Sequence, residues 1–147
     1  MTTPTQYAAP AGTHPRIDGV KVKPLKTIAD ERGWLMEILR ADETDLFSTF
    51  GQAYVSATYP GVVKAWHFHR QQVDNFACLV GMIKLVLVDT RDASPTKGAV
   101  NEFFIGTEQR LLGRIPGLVE LYPDADPDEY RLVPRGSLPY DWTRHDG

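Results

Sequence analysis

Apolar residues recur along this chain in short runs separated by turn formers, at 20–25, 34–39, 54–59, 62–68, 76–80, 82–88, 102–105 and 111–115. Runs of this length, with Gly, Pro, Asp and Asn between them, predict strands, and many short strands predict an all-β sandwich or barrel. Residues 82–88 are apolar apart from Lys84, which predicts a strand covered on much of both faces. Only 42–50 reads as a short helix, with Asp42 or Thr44 as its cap. After Pro116 the pattern changes. Residues 118–147 are dense in Pro and Asp, carry little strand signal and are expected to form an irregular tail wrapping the domain. Residues 1–14, rich in Thr, Pro, Ala and Gly, are expected to be a flexible arm, which leaves 15–147 as a single domain.

Composition narrows the partners. The 147 residues are 42% hydrophobic and 24% charged, ordinary for a soluble globular domain, and the formal net charge is −3. That balance offers no basic footprint for nucleic acid. No apolar run approaches membrane-spanning length, and the first residues lack the basic start and apolar core of a secretory signal. A cytoplasmic location is therefore expected. One cysteine, Cys78, excludes an internal disulfide and, flanked by Phe76, Ala77, Leu79 and Val80, reads as a small buried hydrophobe. Leu132 to Ser137 happen to spell a thrombin recognition peptide, a coincidence within continuous domain sequence.

The chemistry concentrates between Gly61 and Gly81. His67 and His69 share a strand parity there, opposite to Trp66 and Phe68, and an acid, Asp74, follows. Two imidazoles on one wall are either metal ligands or proton-transfer groups of a polar pocket; a hydrogen-bonded structural histidine is the plainer reading of each. Asp74 follows Gln71-Gln72-Val73 in what reads as a hairpin connection, where a solvated carboxylate is the default.

The spacing of glycine, His67, His69, Asp74 and glycine resembles the first motif of the cupin superfamily, although cupins usually carry glutamate where Asp74 stands. The resemblance implies a small jelly roll with its pocket inside the barrel. More of the chain resembles the dTDP-4-dehydrorhamnose 3,5-epimerase family. The blocks are Asp30-Glu31-Arg32-Gly33 with Glu37, then Gln52, Lys64-Ala65-Trp66-His67, Val88-Asp89-Thr90-Arg91, Ser94-Pro95-Thr96-x-Gly98 and Arg114-Ile115-Pro116, in family order from about residue 17 to 117. That family epimerises a 4-keto sugar nucleotide, without a metal or other cofactor, by removing a proton next to the ketone and returning one to the opposite face. Such a reaction needs a base, an acid and support for the enolate. The resemblance places His67 as base, with Arg32, Glu37, Gln52 and Lys64 around the nucleotide sugar and Asp146 as the carboxylate supporting the base; His69, of the same strand parity as His67, is expected to line the substrate as well. Lys64 stands where the family has arginine, keeping the charge but losing the bidentate fork.

Two departures qualify the likeness. A family lysine falls on Asp74, reversing the charge. The family's histidine-bearing turn and two further strands, with the tyrosine proton donor, give way after Gly117 to the Pro/Asp-rich tail, leaving Tyr122 and Tyr140 as the nearest phenols. The expected fold is thus a cupin jelly roll lacking some C-terminal strands. Three functions follow: an epimerase-like protein acting on a nucleotide-linked 4-keto-6-deoxysugar, with activity reduced or lost; a cupin holding a divalent metal through His67, His69 and Asp74; or a non-catalytic cupin binding a sugar nucleotide or partner. Open sheet edges further predict a homodimer.

Overall fold

The computed structural model describes residues 16–60, 62–64, 66–108, 110–116 and 130–132, and every regular element among them is a β-strand. The strands are β1 (Lys21–Pro24), β2 (Thr27–Asp30), β3 (Gly33–Met36), β4 (His67–His69), β5 (Val73–Ala77), β6 (Met82–Val88), β7 (Val100–Gly106), β8 (Leu111–Pro116) and β9 (Tyr130–Leu132). All pairings are antiparallel: β1-β8-β5 form one sheet, and β2-β3, β4-β9 and β6-β7 form two-stranded ribbons.

The core lies between the β1-β8-β5 sheet and the β6-β7 ribbon. Period-two alternation sends Leu85 and Leu87 of β6, Phe103 and Ile105 of β7, and Leu111 and Ile115 of β8 into it, where they meet Ile17 and Val20. Each such side chain contributes roughly 1.5–3 kcal/mol by leaving water. Val86 and Val88, of opposite parity in β6, are buried as well, as expected for a strand covered on both faces. Gly113 leaves the inward face of β8 without a side chain, and a small, wholly apolar cavity opens among Val20, Val22, Leu85, Phe103 and their neighbours. With no polar group to orient a sugar, that cavity is underfilled core rather than a binding site.

Four expectations need correction. Residues 42–50 form turns, not a helix: the amides of Leu46 and Phe47 both reach the carbonyl of Glu43, and the winding stops there. One turn does not offset the cost of nucleation, and the Glu43 carboxylate is engaged by Lys23 and by the amide of Arg40 instead. Residues 54–59 are exposed and form no strand, whereas 27–30, too polar to stand out, form β2. Asp74 lies within β5 rather than in a turn. The tail is not wholly irregular, because Tyr130–Leu132 form β9 against β4.

Two sequence blocks prove to be architectural. Asp30-Glu31-Arg32-Gly33 closes the β2-β3 hairpin: Asp30 pairs with Gly33, the Asp30 carboxylate accepts the Arg32 amide at 2.9 Å, and Gly33 takes a φ of 136°. Ser94 to Gly98 folds over Asp89, whose side chain is wholly buried. Its carboxylate accepts Arg91 Nε at 2.9 Å, Ser94 Oγ at 2.5 Å and Thr96 Oγ1 at 2.7 Å. Burial alone would raise this carboxyl's pKa, but those donors outweigh it and hold the group well below the usual carboxylate range. Arg91 Nη2 also donates to the carbonyl of Asp18 and Thr96 Oγ1 accepts its amide, so the turn anchors the strand leading into β1.

Candidate active site

β4 carries the two histidines and is only three residues long. Its register places His67 against Leu132, Phe68 against Arg131 and His69 against Tyr130 of β9, so the strand arriving from the tail lines up with the histidine pair. The neighbouring Trp66 is 1% exposed, which anchors the entry to β4 in packed surroundings.

His69 is 3% exposed and its Nε2 lies 3.2 Å from Oδ2 of Asp74, whose side chain is 13% exposed. A bend at Arg70 and Gln71 separates β4 from β5, two strands that do not pair with each other, and the two side chains meet across it. The second carboxylate oxygen, Oδ1, accepts Gln72 Nε2 at 2.7 Å. A buried imidazole, a largely buried carboxylate and an amide that orients it thus form one polar group within the apolar body of the domain. Such groups are costly to bury, and are retained where they fix a geometry. Gln72 was not singled out from the sequence; its parity with Asp74, two residues on, was the available signal.

The other candidates stand apart from this group or are engaged locally. Arg32 is 85% exposed and pairs through Nη2 and Nε with Asp30, the residue that shapes its own turn. Glu37 lies 3.2 Å from Arg40 Nη1, which shares its charge with Asp42. Lys64 Nζ donates to Ser56 Oγ at 3.0 Å and to the carbonyl of Ala57 at 2.6 Å, tying the approach to β4 to the exposed 54–57 segment. Gln52 is exposed on that same extended segment. Of His67 the structure describes the backbone in β4, and Asp146, Tyr122 and Tyr140 lie outside the described residues. Among the described residues, no three His, Cys, Asp or Glu side chains gather as a metal site. Cys78 is half-buried, its Sγ donating to the carbonyl of Val80 at 3.3 Å, and burial raises the thiol's pKa.

The antiparallel architecture with its histidine-bearing strand is that of a cupin-type jelly roll. The profile of the family described as dTDP-4-dehydrorhamnose 3,5-epimerase matches residues 14–119. The chain belongs to that family. It is 37% identical over 147 aligned residues to the probable low-salt glycan biosynthesis epimerase Agl13 of Haloferax volcanii, covering 86% of this chain and 90% of that protein. It is 44% identical over 100 residues to the spore coat polysaccharide biosynthesis protein SpsL of Bacillus subtilis, covering 68% of this chain and 66% of that one. Among solved structures, a dTDP sugar isomerase from Desulfovibrio desulfuricans G20 superposes with a TM-score of 0.78 at 30% identity, over 88% of this chain and 94% of that one. The dTDP-4-dehydrorhamnose 3,5-epimerase of Elizabethkingia anophelis shares the fold, with a TM-score of 0.70 at 19% identity over 91% and 86% of the two chains.

Proposed function

We propose that this protein epimerises a nucleotide-linked 4-keto-6-deoxysugar through proton abstraction next to the ketone, with His67 as the base. The observation that carries the reading is the family match running through β4, joined to a relative named as an epimerase that aligns with 86% of the chain. The ketone acidifies the neighbouring C–H bond; its electron pair moves into the enolate as the proton passes to an imidazole, and a proton returned to the other face completes the inversion. Arg32, Lys64, Glu37 and Gln52 are the proposed contacts to the nucleotide and sugar, and Asp146 the proposed support of the base. The ion pairs that now hold Arg32 and Glu37 are exposed, and pairs of that kind are worth only about 0–1 kcal/mol, so a phosphate or sugar hydroxyl displaces them at little cost.

The working unit is proposed to be a homodimer. Ile28, Trp34 and Leu35 on the β2-β3 hairpin and Val55 and Tyr59 on the extended segment are exposed, Val55 at 88%. So much apolar surface on extended chain is what a second subunit covers.

The test is incubation with a dTDP-4-keto-6-deoxyhexose in heavy water. Deuterium is expected beside the ketone, with His67→Ala abolishing incorporation and a chelator leaving it unchanged. Loss of incorporation with chelator, restored by a divalent metal, would instead support the metal site at His67, His69 and Asp74.

A further inference from the structure

Lys64 stands where the family has arginine, and a lysine needs help to present its charge in one direction. We propose that Ser56 is a positioning residue for Lys64, and that with the carbonyl of Ala57 it aims the ammonium at the diphosphate of the nucleotide sugar. This rests on the reading above of Lys64 as a substrate contact, and it adds the group that fixes the lysine.

Three observations carry it. The chain turns back between the two residues: the amide of Val62 donates to the carbonyl of Tyr59 at 3.1 Å, and Pro60 stands at the second position of that turn, where its fixed φ suits a tight reversal. Counted outward from the turn, Lys64 stands opposite Ala57. Its Nζ accordingly donates to Ser56 Oγ at 3.0 Å and to the Ala57 carbonyl at 2.6 Å. Next, both acceptors are neutral. Arg32 and Arg40 share their charge with carboxylates, whereas no described carboxylate pairs with Lys64. An ammonium held by neutral oxygens is oriented without being neutralised, and keeps its attraction for an anion. Finally, an ammonium carries three protons, and Ser56 and Ala57 engage two of them. The third has no acceptor among the described residues, and the tetrahedral nitrogen turns it away from both.

The physical effect is on affinity. A lysine on its flexible stem is a point charge, where arginine is a rigid fork; two acceptors from one segment restore a direction. The same contacts restrain residues 52–59, which are exposed throughout, form no strand and include Gln52, another of the proposed substrate contacts. Ordering that segment in advance reduces the freedom lost when the ligand binds. A diphosphate is charged before, during and after proton transfer, so a contact to it is uniform binding and belongs in KM rather than kcat.

The experiment titrates dTDP into the full chain by calorimetry and follows deuterium incorporation into the 4-keto sugar nucleotide in parallel. Ser56→Ala is expected to weaken dTDP binding about 3–10-fold, and Lys64→Ala about 10-fold or more. Ser56→Thr, which keeps the hydroxyl, is expected to stay within about twofold of the intact protein. In a Lys64→Ala background, Ser56→Ala should cost nothing further, because the two act as one unit. KM for deuterium incorporation should rise with the dTDP dissociation constant in Ser56→Ala, with kcat held within about threefold. Ser56 is exposed, so its melting temperature is expected to be that of the parent. Unchanged dTDP binding in Ser56→Ala, an equal loss with and without Lys64, or an intact protein that binds no dTDP would each overturn the proposal. An intact protein that shows this binding pattern but incorporates no deuterium removes the epimerase reading and leaves Ser56 as the residue that positions Lys64. Incorporation without dTDP binding does the reverse.

Discussion

Asp89 is the clearest case of a residue whose conspicuous sequence context serves architecture. Its wholly buried carboxylate collects donors from Arg91, Ser94 and Thr96, and through Arg91 and Thr96 it holds the backbone of Asp18. Asp89→Asn is expected to lower stability by about 2–3 kcal/mol at pH 7, because hydrogen bonds to a charged group are lost in a site closed to water. The pH dependence follows from the depressed folded-state pKa. The stabilisation from Asp89 is fully present above the unfolded carboxyl value, near pH 4, and is lost as pH falls through the lower folded value. Urea melts of the intact protein should therefore lose stability below about pH 4, and those of Asp89→Asn should lose less. An equal loss in both would show that other carboxylates carry the acid sensitivity. His69 and Asp74 invert the case: their separation in sequence fits a metal site, a dyad or a solvated turn, and only the folded chain, bent at Arg70 and Gln71, selects the contact.

At the scale of elements, period-two patterning is legible where one face is buried and fades where neither is. β6 and β8 match their apolar runs almost to the residue, since Leu85, Leu87, Leu111 and Ile115 are core. β2 is exposed along its whole length and owes its existence to the hairpin closed by Asp30 and Gly33, so its residues carry little pattern. Residues 54–59 fail in the opposite sense: they have the apolar content of a strand but form none. β9 is three residues of the tail, and its pairing with β4 is a long-range event that local composition does not encode. The β6-β7 hairpin offers a test of element geometry. Gly106 takes a φ of 151°, and a Cβ there would overlap the carbonyl oxygen of Gly81 at the other strand's start. Gly106→Ala is expected to cost roughly 3 kcal/mol through strain and displaced pairing, read as a lower urea midpoint. A midpoint unchanged from the parent would mean that the Met82–Gly106 end of the ribbon is free to open.

For the whole molecule, a compact core between two sheets leaves an apolar hairpin and an extended apolar segment outside it. If a second subunit covers them, sedimentation at micromolar concentration will give a dimer, and Val55→Lys with Leu35→Lys will shift it toward monomer. A monomer at all concentrations would assign those surfaces to another partner. Of the family blocks, Asp30–Gly33 and Ser94–Gly98 close turns, the first leaving Arg32 exposed beside Asp30, while the segment from Lys64 through Asp74 spans β4 and enters β5. Proton transfer at β4 is the proposed activity, and following deuterium from solvent into a dTDP-4-keto-6-deoxyhexose reads it directly. Label beside the ketone with the intact protein and none with His67→Ala is the predicted result; an unlabelled sugar with intact, folded protein, or equal labelling by His67→Ala, would contradict it.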